Sequence, residues 1–412
     1  MKGWELYKLE EICKKIVSGG TPLTSKREYY ENGNIPWLKT TEIHKEIIRE
    51  TETYITAEGL KNSSAKLIPA SSIIVAMYGD GGTAGNVALT RIPLTTNQAC
   101  CNLIIDETKA DPGFIYYYLK ANYNNLVNLK SGGSQQNLNA LTIRKFPVLL
   151  PDLPIQQNIS TILFAYESLI EINNQRIKLL EETARELYKE WFVRMRFPGY
   201  KKYRFEKGIP VGWEINTCYY FSDVKGGGTP STTNPIYWNG QINFFTPTDH
   251  SNSFYIIETE KKITERGLKE SSTKLFPKYS TFITARGTVG NICLAGEQMA
   301  MNQSCFGIVP HNEEDCFFTF LFTDLMVSYL KQVASGATFD AITLNTFKKY
   351  KSIIPEEVIR NKFNQIVSPI FFQIENLIHQ NTQLRQIRDR LLPRLISGKL
   401  KVKAKREELV CP

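Results

Sequence analysis

The chain has 412 residues, 42% of them apolar and 22% charged, with a formal net charge of +9. That length supplies two hydrophobic cores, and the composition is that of a soluble globular protein rather than a disordered or fibrous one. No run of eighteen apolar residues occurs, which excludes a membrane-spanning helix, and MKGWELYKLEEIC at the amino terminus lacks a signal-peptide core, so a cytoplasmic protein is expected.

The first globular block is expected over residues 1–154. Trp4-Glu5 opens it and Gly19-Gly20-Thr21-Pro22 follows. Those glycines suit either a turn or a backbone approach to phosphate. Apolar runs at 72–77 (SIIVAM) and 102–105 (NLII) read as strands and 112–129 as helical, an α/β or α+β pattern. Three polar loops carry the candidate contacts. The first holds Lys39, Thr40 and Thr41. The second holds Gly79, Asp80, Gly81 and Thr83, and the third Ser131, Gly132, Gly133, Ser134, Gln135 and Gln136. The glycine-rich second loop fits neither G-x-G-x-x-G nor the Walker pattern, which argues against a nucleotide site. Amide, lysine and threonine side chains suit base edges in a DNA groove, though ordinary surface loops carry them too. The eight cysteines show no C-x-x-C spacing and the four histidines do not cluster, so no metal site is expected and the thiols read as small core residues.

A first long helix is expected over 155–193. Ile159, Tyr166, Asn173, Leu180 and Leu187 form one seven-residue row, and Leu163, Ile170, Ile177, Ala184 and Trp191 another. Their alternating spacing of four and three is a coiled-coil seam. Residues 194–207 then carry six basic side chains against one acidic.

The second block, over 194–357, repeats the first at an offset of about 205 residues. ITAEGLKNSSAKLIP at 55–69 faces ITERGLKESSTKLFP at 263–277, with ten of fifteen positions identical. Gly227-Gly228-Thr229-Pro230 answers Gly19–Pro22, and Asn302-Gln303 answers Asn97-Gln98. The loops between these strings diverge. Thr246, Thr248 and Asp249 stand in the first of them, Arg286, Gly287 and Thr288 in the second, and Ser335, Gly336 and Thr338 in the third. Like scaffolds with unlike loops suggest one task performed on two different targets.

A second long helix is expected over 358–400, followed by a basic tail at 401–412. Its seam runs Phe363, Ile370, Leu377, Leu384 and Leu391, then Val367, Ile374, Asn381, Arg388 and Leu395. Pro369 and Pro393 are each a place for a kink. Residues 385–406 hold nine basic side chains against one acidic. The basic segments read equally as charge suited to helix C-termini and as phosphate contacts. Laid antiparallel and centred on one another, the two helices bring Asn173 opposite Asn381, where a paired amide would fix register. The predicted fold class is therefore α/β (α+β) modules, two globular domains separated by two long antiparallel coiled-coil helices with pseudo-two-fold symmetry. From Ile159 to Trp191 such a helix spans about 50 Å, against about 34 Å for a turn of DNA.

End to end, the chain resembles the DNA-specificity subunit of type I restriction–modification systems. The carrying strings are Trp4-Glu5 with Gly19–Pro22, SGGSQQNLNALTIRKFPVLLP at 131–151, FVRMRFPGYKKYRFEKGIPVGWE at 192–214 and LLPRLISGKL at 391–400. The resemblance implies two target-recognition domains on double-stranded DNA, each reading half of a split, asymmetric site. It also implies helices that set the spacer and dock two methyltransferase subunits, and a restriction-motor subunit that joins them. S-adenosylmethionine, ATP and Mg would then belong to the partner subunits, with no cofactor here. One departure is Gln156-Gln157 where the family has Glu-Gln; the second copy has Glu356-Glu357 and then Arg360-Asn361. No Pro-Pro string for amino-methyl transfer and no Walker motif occurs, which favours a non-catalytic reader. A coiled-coil protein scaffold without DNA specificity and an unrecognised nuclease are the alternatives.

Overall fold

The computed structural model describes residues 3–79, 82–129, 137–251, 253–333 and 341–402. The chain forms two compact units, Met1–Ile170 with Gln383–Pro412, and Glu171–Thr382. This division cuts both long helices, Leu153–Tyr188 and Glu357–Ile396. The reason is packing: each half-helix buries its apolar seam in one unit's core.

The α+β modules expected from the sequence are present, and the large sheets of the two units repeat each other strand for strand. In the first unit a five-stranded sheet runs Cys13–Ser18, Cys100–Ile105, Ile73–Ala76, Val87–Thr90, Ile47–Ile48. Neighbours are antiparallel except the last pair, which is parallel. In the second unit the order is Ser222–Gly226, Cys305–Pro310, Thr281–Thr284, Ile292–Ala295, Tyr255–Ile256, with the same senses. A smaller sheet lies beside each: Thr53–Ile55, Ile35–Leu38 and Thr95–Thr96 in the first unit; Lys261–Ile263, Trp238–Phe245, Met299–Met301 and Leu275–Phe276 in the second. The inner strands are covered on both faces, as Ile73–Ala76 and Thr281–Thr284 show by complete burial.

A helix covers one face of each large sheet. In the first unit it is Pro112–Ala121, started by Asp111, whose carboxylate accepts from Phe114 N at 2.7 Å. In the second it is Cys316–Val333, rich in phenylalanine. The first long helix, Leu153–Tyr188, ends in a wider turn over Lys189–Val193. The second, Glu357–Ile396, continues through Pro369 and Pro393. In the first unit Ile159, Leu163, Leu392, Leu395 and Ile396 enter the core. In the second, Ile177, Ala184, Trp191, Phe363, Val367, Ile374 and Leu377 do so.

Within the second unit Asn173 Nδ2 donates to Asn381 Oδ1 at 3.0 Å, and Asn381 Nδ2 donates to Asn174 Oδ1 at 2.8 Å. Trp191 packs on Phe363, with ring centroids 5.4 Å apart. Eighteen residues up one helix thus match eighteen down the other, so the pair is antiparallel. In the first unit the seam residue Arg388 meets Glu167 at 2.7 Å.

The same buried position beneath each sheet-covering helix is filled by different chemistry. Gln156 Oε1 accepts from Asp111 N and its Nε2 donates to Pro151 O. Arg360, its counterpart, donates to the Asp315 carboxylate and to Pro355 O, while Asn364 donates to the other Asp315 oxygen. The structural partner of Gln156-Gln157 is therefore Arg360-Asn361 and not Glu356-Glu357.

Candidate nucleic-acid interface

Two loops start at one short turn in each unit, and the residue after the third is tied beside it. In the first unit the turn is Asn97-Gln98-Ala99, closed by Cys100 N on Asn97 O at 3.1 Å. Asn97 N donates to Leu38 O, which fixes the start of the Lys39 loop. Ala99 O accepts from Met77 N, which anchors the loop beginning at Tyr78, and Met77 O accepts from Leu138 N, where the third loop returns. The second unit makes the same set with Asn302-Gln303-Ser304: Asn302 N to Phe245 O, Ala285 N to Ser304 O, and Ile342 N to Ala285 O. The first and second loop regions therefore start at one turn in each unit, and the described residue that follows the third, Leu138 or Ile342, bonds one residue away from it.

The first loop of each unit is held by a carboxylate. Glu42 is buried, and its oxygens accept from Lys39 N at 3.3 Å and Glu52 N at 2.9 Å and pair with Lys45 at 3.0 Å. Asp249 does the same for its loop: it accepts from Thr246 N and Thr246 Oγ1 at 2.8 and 2.6 Å and from Glu260 N at 2.8 Å. Asp249 thus faces into its own loop, a staple rather than an outward contact. Lys39 and Thr41 are exposed and Thr40 half-buried, with the Lys39 ammonium 5.7 Å from the Trp37 ring centre. Thr248 is exposed, and its hydroxyl meets that of half-buried Thr246. Burial and the nearby Lys331 cation hold the His250 imidazole below its ordinary value, so this side chain adds no positive charge at neutral pH.

The second loops differ at their tips. Arg286, Gly287 and Thr288 are exposed, and Arg286 has no partner among the described residues. Where Arg286 follows Ala285, the first unit has exposed Tyr78 after Met77, then Gly79 at φ 138° and half-buried Thr83. Asp80, Gly81, Ser131, Gly132, Gly133, Ser134, Gln135, Gln136, Ser335, Gly336 and Thr338 lie outside the described residues, as does most of the basic tail.

The glycine pairs prove to be neither turns nor phosphate cradles. Gly19 N donates to Cys100 O and Gly20 N to Thr96 O; Gly227 N donates to Cys305 O and Gly228 N to Met301 O. Their donors are spent on neighbouring strands. A Cβ on Gly19 would strike Asn97 O, and one on Gly227 would strike Asn302 O, so only glycine lets the chain cross under the turn. Some basic charge is likewise consumed: Arg194 pairs with Glu186 and Glu190, Arg196 with Glu190, and Arg204 with Glu206.

Composition missed Gln98 and Gln303 as site residues, although the repeat had paired them. Each is exposed at the centre of its cluster, and each accepts at Oε1 from a threonine hydroxyl, Thr21 or Thr229. Among the described residues no group of three His, Cys, Asp or Glu side chains is placed to hold a metal ion. No described helix is long and apolar enough to cross a membrane. The buried cysteines are poor nucleophiles; burial pushes the Cys101 thiol up to about 12.

A model of the type I restriction modification DNA specificity domain matches residues 1–182 and again 210–388. The chain is 28% identical to the type I restriction enzyme MjaIX specificity subunit of Methanocaldococcus jannaschii, across 97% of this chain and 94% of that one. It is 22% identical to the HindI specificity subunit of Haemophilus influenzae, across 97% and 100%. The crystal structure of a type I restriction–modification S subunit from M. genitalium shares the fold at a TM-score of 0.61 and 15% identity, over 95% of this chain and 96% of that one. The duplicated scaffold and both domain matches agree: the chain belongs to the family of type I restriction–modification DNA-specificity subunits.

Proposed function

We propose that this chain is the non-catalytic DNA reader of a type I restriction–modification complex. Each loop cluster reads one half of a bipartite, asymmetric site in double-stranded DNA, and the long helices set the spacer. One observation carries the reading: the turn that gathers the loops is the same in both units, while the tips it presents are not. Tyr78 stands against Arg286, and Lys39 against Thr246. A shared frame with unlike tips is what two unlike half-sites require. Arg286 suits a guanine edge, which offers two acceptors to a guanidinium.

Two methyltransferase subunits and a restriction-motor subunit are the proposed partners. S-adenosylmethionine, ATP and Mg would be bound by them, and this chain would contribute selection alone. Exposed apolar residues on the long helices, Leu169 and Leu179 among them, are available for such docking.

The test is selection of randomised duplexes by the chain co-expressed with its methyltransferase. Two short, unlike motifs at one fixed separation are expected. Arg286→Ala should relax one of them and leave the other intact. Absence of any enriched motif, with the partner present and salt varied, would turn the conclusion to a protein scaffold.

A further inference from the structure

We infer that Gln98 and Gln303 are the points at which each unit grips the DNA backbone, each side-chain amide donating to phosphodiester oxygens. This rests on the DNA-reading function proposed above.

The pose of the amide bears on the choice between backbone and base. A glutamine that reads adenine uses both ends of its amide, oxygen accepting and nitrogen donating. Here the accepting end is occupied, by the Thr21 hydroxyl on Gln98 and the Thr229 hydroxyl on Gln303. The two N–H groups of each Nε2 have no acceptor among the described residues. Each amide thus offers two free donors and, at its oxygen, one remaining lone pair. Phosphate oxygens only accept, so two free donors fit the backbone; a guanine edge also only accepts, and it is the sameness of the pair in both units that decides against it.

Sameness points the same way. The two clusters differ wherever they project a distinctive side chain, yet the Thr–Gln pair recurs with the same atoms joined. Two half-sites of unlike sequence have one thing in common, the sugar–phosphate chain. A group kept the same in both readers serves that common part and sets the depth and angle at which the differing tips meet the bases. The pose is also built in. Thr21 directly follows Gly20, whose N–H is tied to Thr96 O at 2.8 Å, and Thr229 follows Gly228, tied to Met301 O at 3.0 Å. The competing account is a purely structural pin holding the Gly-Gly-Thr-Pro segment to the turn.

The experiment uses the assembled specificity–methyltransferase complex on the selected site and on a scrambled duplex. Gln98→Ala and Gln303→Ala should each weaken binding about 3- to 10-fold on both duplexes, the size of one hydrogen bond, with the selected motifs unchanged. Gln98→Lys should bind at least as well as wild type, with a slope of log K against log salt steeper by about 0.9. A neutral methylphosphonate at one backbone position in one half-site should abolish the effect of Gln98→Ala, and another in the opposite half-site that of Gln303→Ala. A changed base preference in Gln98→Ala would overturn the inference in favour of base reading. Unchanged affinity, or Gln98→Lys behaving like Gln98→Ala with a lowered thermal midpoint, would leave only the pin. If the wild-type complex itself selects no site, the functional proposal falls and this inference with it; if it does select one, these failures fall on the inference alone.

Discussion

Replacing the asparagine pair in the helix seam should reveal strong coupling between two residues 208 positions apart in sequence. Asn173 is 7% exposed and Asn381 2% exposed, so neither amide can turn to water where it stands. Asn173→Leu leaves Asn381 Oδ1 buried without its donor, while the Asn381 Nδ2 bond to Asn174 survives. The expected cost is about 1–3 kcal/mol, that of one stranded buried acceptor. Asn381→Leu strands Asn173 Nδ2 at a similar cost of about 1–3 kcal/mol; the exposed Asn174 regains water. With both replaced no polar group is stranded, and an apolar layer of similar volume is neutral or stabilising. The double variant should therefore be about as stable as wild type or more so, giving a coupling of about 2–6 kcal/mol, the sum of the two single costs. Urea unfolding followed by the fluorescence of Trp191, Trp213 and Trp238 in that unit provides the readout. Single variants within about 0.5 kcal/mol of wild type, the range of an ordinary surface change, would refute the stranding argument. So would a double variant as unstable as the sum of the singles. The amide pair would then be a surface pair in disguise, with no part in register.

Three further outcomes follow from the same kind of accounting. Arg360→Gln, which installs the first unit's side chain in the second, should cost about 3–5 kcal/mol, because it leaves the Asp315 carboxylate buried without its cation. Burial already raises the Asp315 carboxyl above its ordinary value, against the pull of Arg360. A raised carboxyl binds its proton more tightly when folded, so this group favours the fold at low pH and loses that contribution as pH rises from the ordinary carboxylate range through the raised value. Losing Arg360 extends that window upward, so the deficit in urea should grow from pH 4 towards neutrality; a pH-independent deficit would contradict the assignment. Glu42→Ala should release Lys39 N and Glu52 N and degrade recognition of one half-site, and Asp249→Ala the other, in duplex selection; equal damage to both half-sites would show that the staples do not act on single clusters. Inserting seven residues at matched points in both long helices adds about 10 Å of helix, or about three base pairs, to the selected spacer, and an unchanged spacer would remove the helices from that role.

Much of this architecture was legible in the sequence because it rests on periodicity and duplication. The seam rows depend only on a spacing of four and three, and the strands on short apolar runs between turn residues. The site was legible only as regions. Loop composition drew attention to Lys39, Arg286 and Thr248, but it could not show that Asp249 turns inward to hold Thr246 N and Glu260 N. Nor could it show that the Gly19-Gly20 and Gly227-Gly228 donors are spent on adjacent strands. Both facts depend on which strand lies alongside, which composition does not encode. The sequence offered both Glu356-Glu357 and Arg360-Asn361 opposite Gln156-Gln157, and only packing could choose, because a buried amide and a buried guanidinium do the same work there.

That last substitution bears on what the Thr–Gln pairs are for. Beneath the sheet-covering helices the repeat has drifted far: an amide holding Asp111 N and Pro151 O has become a guanidinium holding Asp315 and Pro355 O. Phe164 over Gly113 has given way to Phe317 stacked on Phe371 at 4.3 Å. Both solutions fill and satisfy a buried site, so the fold tolerates change even where change costs most. At the exposed centre of the loop clusters substitution is cheap, since water replaces any lost hydrogen bond. Yet there the two units keep the same threonine, the same glutamine and the same bond between them. Stability is a weak reason for sameness at the surface when the interior was free to diverge. A common ligand is a stronger one, and the backbone of DNA is the part of the target that both units would meet in the same form.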